Sequence, residues 1–330
     1  LHLSLRRQRQ MCIRDRINGH YMFPESHSHA FAVSAYQAAW MKYHYTLEFF
    51  VTLMNNQPMG FYAIEAINLD AGRFCVPFLN PCVNLSDSKC SYHKNSLLLG
   101  LEFIKGVGVR YANEIIRERV ENGLFSSVGD FVRRVSVDAS VVESLVYAGA
   151  FDLIPGISRN RKKFLWEAGV YPTPSGENRP LPLLMDDSVP ELVDFSPYEK
   201  MLGEYKYMDI YPSGHIMEFF RHRLPSNTKR AIDVYSLYEG QEVTVGGWAI
   251  ARQHPSGNKG TVFVTVEDET GDVQLIVWRD VFDQYKHLLK EPLLLATGFI
   301  SNWDGTTNIV VSRLKAITAT AELPAGHDWH

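Results

Sequence analysis

The sequence predicts a multidomain α+β chain, helical over its first two-thirds and all-β in its last quarter. Three observations carry this. Apolar residues recur at helical spacing from Pro24 to Asn56. Between Leu97 and Asp152 short apolar stretches are broken by Gly106, Gly108, Gly123, Gly129 and Gly149, which reads as short helices joined by tight turns. From Glu242 onward the hydrophobic period drops to two, as half-buried strands require. A length of 330 residues leaves room for two or three separate cores. A composition of 45% hydrophobic and 21% charged residues argues against disorder.

The opening sixteen residues stand apart. They carry Arg6, Arg7, Arg9, Arg14 and Arg16 against Asp15 alone. A basic arm and a targeting peptide are two readings of that charge. The run Met11-Cys12-Ile13-Arg14-Asp15-Arg16 resembles a translated sequencing-adaptor remnant, and residues 1–16 are set aside as a non-native leader.

The first helical stretch has N-cap candidates in Ser26 and Ser28 and an apolar series from Phe31 through Ala35, Ala38 and Ala39 to Leu47, Phe50, Val51 and Met54. Asn55-Asn56-Gln57-Pro58 ends it. Ile64 to Ala71 suits one more short helix, and the prolines within Phe74–Val83 suggest brief extended segments. Pro155 to Tyr198 is rich in Pro, Ser, Gly and Asn and reads as a linker with one helix near Arg161–Ala168. Strands are expected around Val243–Val245, Val262–Val266 and Val273–Val277, a helix at Asp280–Leu289, and strands again at Leu293–Ile300 and Asn308–Leu314. Three strands, a helix and two strands is the element order of an OB-fold barrel. The domains expected are 17–96, a helical segment; 97–155, tandem helix-hairpin-helix; 156–240, a linker with helical and basic parts; 241–317, the barrel; and 318–330, a tail.

Charge sets limits on function. The whole chain has 33 basic and 37 acidic residues, a net −4; without the leader 28 and 36 remain, a net −8. Such a chain does not hold nucleic acid by bulk positive charge. Local donors can still do so. Ile104-Lys105-Gly106-Val107-Gly108, followed by Ala112 and Ile115, suits a hairpin whose backbone N–H groups hold a phosphate at the head of the next helix. A dinucleotide loop would need a strand before it and a βαβ unit around it, which the pattern lacks. A plain glycine turn between packed helices stays open. The segment from Leu98 to Asp152 holds six Lys/Arg and eight Asp/Glu, so backbone donors rather than charge must serve there.

The residues nominated for the DNA backbone are Lys105, Gly106, Val107, Gly108 and Arg110 of the hairpin, with Arg159, Arg161, Lys162 and Lys163 of the densest native basic run. A second basic run, Arg221 to Arg223 with Lys229 and Arg230, is a further candidate. In the barrel, Trp248, Arg252, His254, Lys259, Phe263 and Trp278 are nominated for a single strand, by stacking on bases or by facing phosphates. Packing residues are the competing reading for each tryptophan. Asp268 and Glu269 read as solvated turn charges. Cys75, Cys82, Cys90 and His93 lie close in sequence but lack the short ligand spacing of a zinc site, so ordinary thiols are expected. The sequence contains no P-loop, HExxH or GxSxG, and no catalytic or metal-ligating residue is nominated. No apolar run reaches the roughly 18–20 residues of a membrane span. Few cysteines and no evident signal peptide make the cytoplasm the expected compartment.

Several blocks together resemble one family, the bacterial C-family DNA polymerases, that is, the DNA polymerase III alpha subunit. Phe23-Pro24-Glu25-Ser26-His27, then Phe31-Ala32, Tyr36-Gln37, Trp40, Lys42, Tyr45 and Glu48-Phe49 resemble the end of its fingers region. Asn56-Gln57-Pro58-Met59-Gly60-Phe61-Tyr62 is similar to the continuation in its error-prone branch. Leu99-Gly100-Leu101 with Ile104-Lys105-Gly106 and Gly108 resembles its tandem helix-hairpin-helix. Val266-Glu267-Asp268-Glu269-Thr270-Gly271 resembles its OB domain.

The resemblance implies that the chain is the C-terminal part of an enzyme that extends a DNA primer with deoxynucleotides, using Mg²⁺ held by palm aspartates. Those palm motifs are absent here, so no catalysis is expected of this chain and no cofactor within it. DNA, as primer–template and single strand, is the partner implied. His27 and Lys42 would lie in the fingers near nucleotide or template phosphates. The short Gln-x-x-Leu-Phe clamp-binding peptide of the replicative branch has no match between Gly156 and Gly240, which favours the error-prone branch. Two other readings compete: a stand-alone single-strand-binding adaptor, and an RNA-binding accessory domain of a tRNA enzyme.

Overall fold

A computed structural model describes residues 25–59, 64–157, 159–170, 191–254, 260–303, 305–318 and 327–329. The chain divides into two units, Leu1–Phe50 and Val51–His330. Helix α1 (Glu25–His44) lies in the first unit, and α2 (Thr46–Asn55) starts there. The helical pattern of the sequence is thus interrupted at Tyr45. Along α1 the aromatic residues Phe31, Tyr36 and Tyr43 are exposed.

The second unit begins with the rest of α2 and α3 (Ile64–Arg73), followed by a three-stranded sheet. In that sheet β1 (Phe78–Leu79) runs parallel to β3 (Ser96–Leu98), and β2 (Ser91–His93) forms a hairpin with β3. The sequence pattern places the first of the short helices from Leu97. Leu97 and Leu98 instead extend in β3 with both side chains buried, and helix starts only after a 3₁₀ turn at Leu101–Phe103.

Four helices then build a small core: α4 (Gly108–Asn122), α5 (Val128–Arg134), α6 (Ala139–Tyr147) and α7 (Arg161–Val170). Phe131 sits at its centre, edge-on to Phe125 at 5.0 Å and to Phe151 at 5.2 Å, and Phe164 of α7 closes the row against Phe151 at 6.2 Å. These rings are fully or almost fully buried. At roughly 25 cal/mol per Å² of apolar area removed from water, and roughly 150–250 Å² per aromatic side chain, they dominate the stability of so small a core. Helix α8 (Pro197–Met208) follows, with a capping box between Ser196 and Glu199 and a left-handed Asp209 at its end.

The barrel forms with the expected element order. Strands β4 (Glu242–Gln253), β5 (Val262–Asp268) and β6 (Gly271–Val277) precede a helix, here α10 (Arg279–Tyr285); the short α9 (Ala231–Val234) comes before β4. Strands β7 (Leu293–Trp303) and β8 (Thr306–Ala316) complete it. The strand order β5-β6-β8-β7-β4 closes through a β4–β5 pairing, and β6–β8 is parallel. The backbone of β9 (His327–Trp329) adds to β4 in parallel. Val245, Val264, Leu275, Ile309 and Val311 fill the interior, as the period of two requires. A register shift between Thr297 and Gly298 leaves Ser312 of β8 as the extra residue, a bulge that bends β8. A Cβ at Gly298 would collide with the backbone carbonyl of Val310, so only glycine fits there.

Candidate nucleic-acid interface

The hairpin at Ile104–Gly108 is built to expose backbone. Gly106 and Gly108 have φ of 89° and 58°, and Val107 between them is buried as the turn's anchor. Apart from its chain neighbours and its own helix backbone, no atom lies within 4 Å of where a Cβ of Gly108 would stand, so the constraint at that position is conformation and not space. Helix α4 starts at Gly108 with Val107 as its N-cap, which offers no side-chain cap. The leading N–H groups of a helix lack acceptors within it. Those of Gly108 and Val109 meet no other backbone acceptor among the described residues. The turn is therefore an open set of donors at the positive end of a 15-residue helix.

Helix α6 begins differently. The second hairpin, Val135 to Asp138, contains no glycine, and Asp138 is the N-cap. Its carboxylate accepts a hydrogen bond from the Tyr111 hydroxyl at 2.7 Å. A phosphate approaching α6 would meet that negative charge.

The nominated cations are placed unevenly. Arg110 is exposed over the Tyr111 ring at 4.3 Å, and Arg159 is exposed. Lys105 is exposed but engaged: its Nζ lies 2.6 Å from Asp209, and its backbone N–H donates to the Tyr207 carbonyl. Lys162 and Lys163 are half-buried on α7, Lys162 over the Phe195 ring at 4.8 Å.

Arg161 has turned inward. It is 3% exposed and donates to Asp152, to Glu204 at 2.7 Å and to the Tyr147 carbonyl. The charged partners outweigh burial and hold its pKa above the ordinary arginine value. It ties α7 to α6 and α8 and is not open to a phosphate. Arg221 likewise donates to Asp268 and Glu269, both at 2.7 Å. Asp268 is therefore no solvated turn charge. It is buried, and it also accepts from the backbone N–H groups of Ala231 and Thr270.

Trp248 and Arg252 also leave the surface. Trp248 packs with Tyr205 and His215 at ring distances of 6.0 and 6.3 Å, in a buried polar seam between α3, α8 and the barrel. In that seam Glu65 accepts from the Tyr211 N–H and from Asn68, and burial pushes its pKa up to about 8. His215 accepts from the Met217 N–H through Nδ1, which leaves its neutral form protonated on Nε2, 3.4 Å from Glu267. Arg252 donates to the carbonyls of Leu289 and Glu291, pinning the α10–β7 connection onto β4.

On the outside of the barrel a usable face remains. Phe263 points away from the buried Val262 and Val264, as its phase predicted. Strand pairing puts Phe263 beside Ile276, Ile276 beside Val310, and Val310 beside Phe299. The result is one apolar row across four strands, ending in a Phe299 that is 45% exposed. A polar row, Thr265, Gln274, Asn308 and Ser301, runs next to it. Trp278 is exposed just past β6, and His254 is exposed just past β4 with its ring 5.8 Å from Phe282. Aromatic and aliphatic side chains beside amide and hydroxyl groups are what base stacking and base-edge hydrogen bonding need. Sequence reading missed Ile276, Val310 and Phe299. Their outward phase was visible, but the register that aligns them with Phe263 was not.

Lys259 lies outside the described residues, as does the side chain of His27, whose backbone is in α1. Lys42 lies over the Phe50 ring at 5.6 Å. Cys75, Cys82 and Cys90 are free thiols; Cys82 and Cys90 are buried, and burial raises the Cys90 pKa to about 11. Among the described residues no group of three or more His, Cys, Asp or Glu is placed to hold a metal ion. None of the described helices is long and apolar enough to cross a membrane.

Comparison with known proteins falls on the same two modules. A helix-hairpin-helix motif model matches residues 75–163, and a model of an OB-fold nucleic acid binding domain matches residues 243–317. An error-prone DNA polymerase of Rhodopirellula baltica is 32% identical over 314 residues, covering 92% of this chain and 27% of that protein. One from Nocardia farcinica is 32% identical over 305 residues, covering 90% of this chain and 26% of that protein. The chain thus spans about a quarter of the length of these relatives. Among solved structures, asparaginyl-tRNA synthetase from Pyrococcus horikoshii matches 30% of this chain and 24% of its own at 20% identity, with a TM-score of 0.27.

Proposed function

Because this chain is a homologue of the error-prone C-family DNA polymerases, carrying their helix-hairpin-helix and OB-fold modules, we propose that it holds DNA during error-prone synthesis. The helical module grips the backbone of the primer–template duplex, and the barrel holds the single-stranded template. The observation that carries the first half is the uncapped, glycine-shaped start of α4, whose Gly108 and Val109 N–H groups meet no other backbone acceptor among the described residues and whose first turn contains no acidic residue. Such a grip suits an acidic chain, since it relies on fixed dipoles and reads no bases. The second half is supported by the Phe263–Ile276–Val310–Phe299 row.

Mg²⁺ and nucleotides belong, in this proposal, to the whole polymerase. No chemical step is assigned to this chain.

The test has two arms. Fluorescence titration with labelled primer–template should show binding that weakens as salt rises, and a primer-extension assay on this chain should give no product. Absence of binding at low salt would refute the proposal. RNA of the same sequence in competition decides between this reading and an RNA-binding accessory role.

A further inference from the structure

A second groove, of about 450 Å³, lies on the β4–β7–β8 side of the barrel, away from the β5–β6 strands. Its floor is Thr244 and Leu295 with Thr297, and the two threonine hydroxyls are 2.9 Å apart. One wall is the segment from Pro225 to Lys229, held by a hydrogen bond from the Lys229 N–H to the Thr244 carbonyl. The other wall is β8, with Arg313 and Lys315 both exposed. Being two residues apart on one strand, they project from the same face about 6–7 Å apart.

The lining contains three cations and one carboxylate, in a chain whose total charge is negative. Lys229 and Lys315 pair with no carboxylate among the described residues. Arg313 meets Glu242 at 3.2 Å, but both side chains are more than half exposed, so water and salt weaken the bond and a phosphate can displace it. Cations therefore face one another across a floor of hydroxyls and a leucine.

The groove is continuous with the apolar row. Outward positions on β8 run Asn308, Val310 and, past the register shift, Arg313 and Lys315. On β7, Phe299 and Thr297 are the neighbouring positions of the two surfaces.

We propose that this groove is a phosphate track: it takes the sugar–phosphate backbone of the single strand whose bases lie on the Phe263–Phe299 row. This rests on the single-strand reading above and extends it to the neighbouring outward residues of β4, β7 and β8. Cations on both walls suit one extended polyanion lying between them.

The experiment is a titration of the full chain with oligo-dT at several salt concentrations. A Lys229→Gln/Arg313→Gln/Lys315→Gln variant should bind more weakly, and the slope of log K against log salt should fall by roughly 2, about 0.7 for each phosphate that is no longer neutralised. A Phe263→Ala/Phe299→Ala variant should lose affinity with the slope unchanged. Duplex binding, measured in parallel, should be the same for the wild type and the triple variant, which also checks that it folds. A wild-type slope in the triple variant overturns the track, including the case in which the groove takes an acidic peptide instead. Failure of the wild-type chain to bind oligo-dT at all sinks the single-strand reading, and the track with it.

Discussion

The helical module and the barrel each bury an arginine whose sequence context points to DNA, and they differ in what they leave outside. Arg161 braces α6, α7 and α8, and Arg252 pins the α10–β7 connection. With those charges internal, the helical module presents backbone N–H groups at a glycine turn. The barrel presents side chains: an apolar row and the cations beside it. Positive charge in the sequence is therefore a poor guide to which groups of this protein are open to a phosphate. A helix start can bind an anion without a cation, and an arginine can spend all its donors inside.

The inward arginines should give the greatest response. Removing one partner of a buried ion pair leaves the other uncompensated, so Arg161→Ala should lower stability by about 3–5 kcal/mol. Chemical denaturation would show this as a lower midpoint. An unchanged midpoint with weakened DNA binding would return Arg161 to the interface and undo the contrast between the two modules.

A more modest change separates the two modes of binding. Gly108→Val places a β-branched side chain at a φ of 58°. That conformation costs about 1–2 kcal/mol, and the side chain covers the N–H groups of the turn. Duplex affinity should fall at least about tenfold while oligo-dT affinity stays within about twofold, read by anisotropy on the same preparation. Equal losses for both ligands would mean that the modules do not divide the work.

A response graded with pH lies at the seam between them. Glu65 faces Asn68, the Tyr211 backbone, Tyr205 and Glu267, with His215 beside Glu267. Burial holds its pKa at about 8, against 4.5 for an exposed glutamate. Between those values the folded chain keeps a proton that the unfolded chain has released, so stability falls as pH rises and levels off above a pH of about 8. The slope is at most about 1.4 kcal/mol per pH unit. Glu65→Gln should flatten it from about pH 7 to about pH 8, as measured by denaturation midpoints. A slope identical to wild type would overturn the assignment of this pH response to Glu65.

How much was legible beforehand varies with the range of the interactions involved. The barrel's strands showed in valines two residues apart, because burial of one strand face is a local pattern. The Gly106–Gly108 turn showed because positive φ demands a particular residue type. The inward turn of Arg161 did not show: its partners Asp152 and Glu204 are 9 and 43 residues away. Nor did Trp248, whose place in the seam depends on Tyr205 and His215 packing against the barrel.

The order of the modules, the barrel's strand faces and the open start of α4 are properties of the sequence alone, since each follows from side-chain period or backbone preference over a few residues. Which charges reach solvent, and which apolar residues align into one row, were settled by folding. Both depend on strand register and helix packing, which bring together residues far apart in the chain.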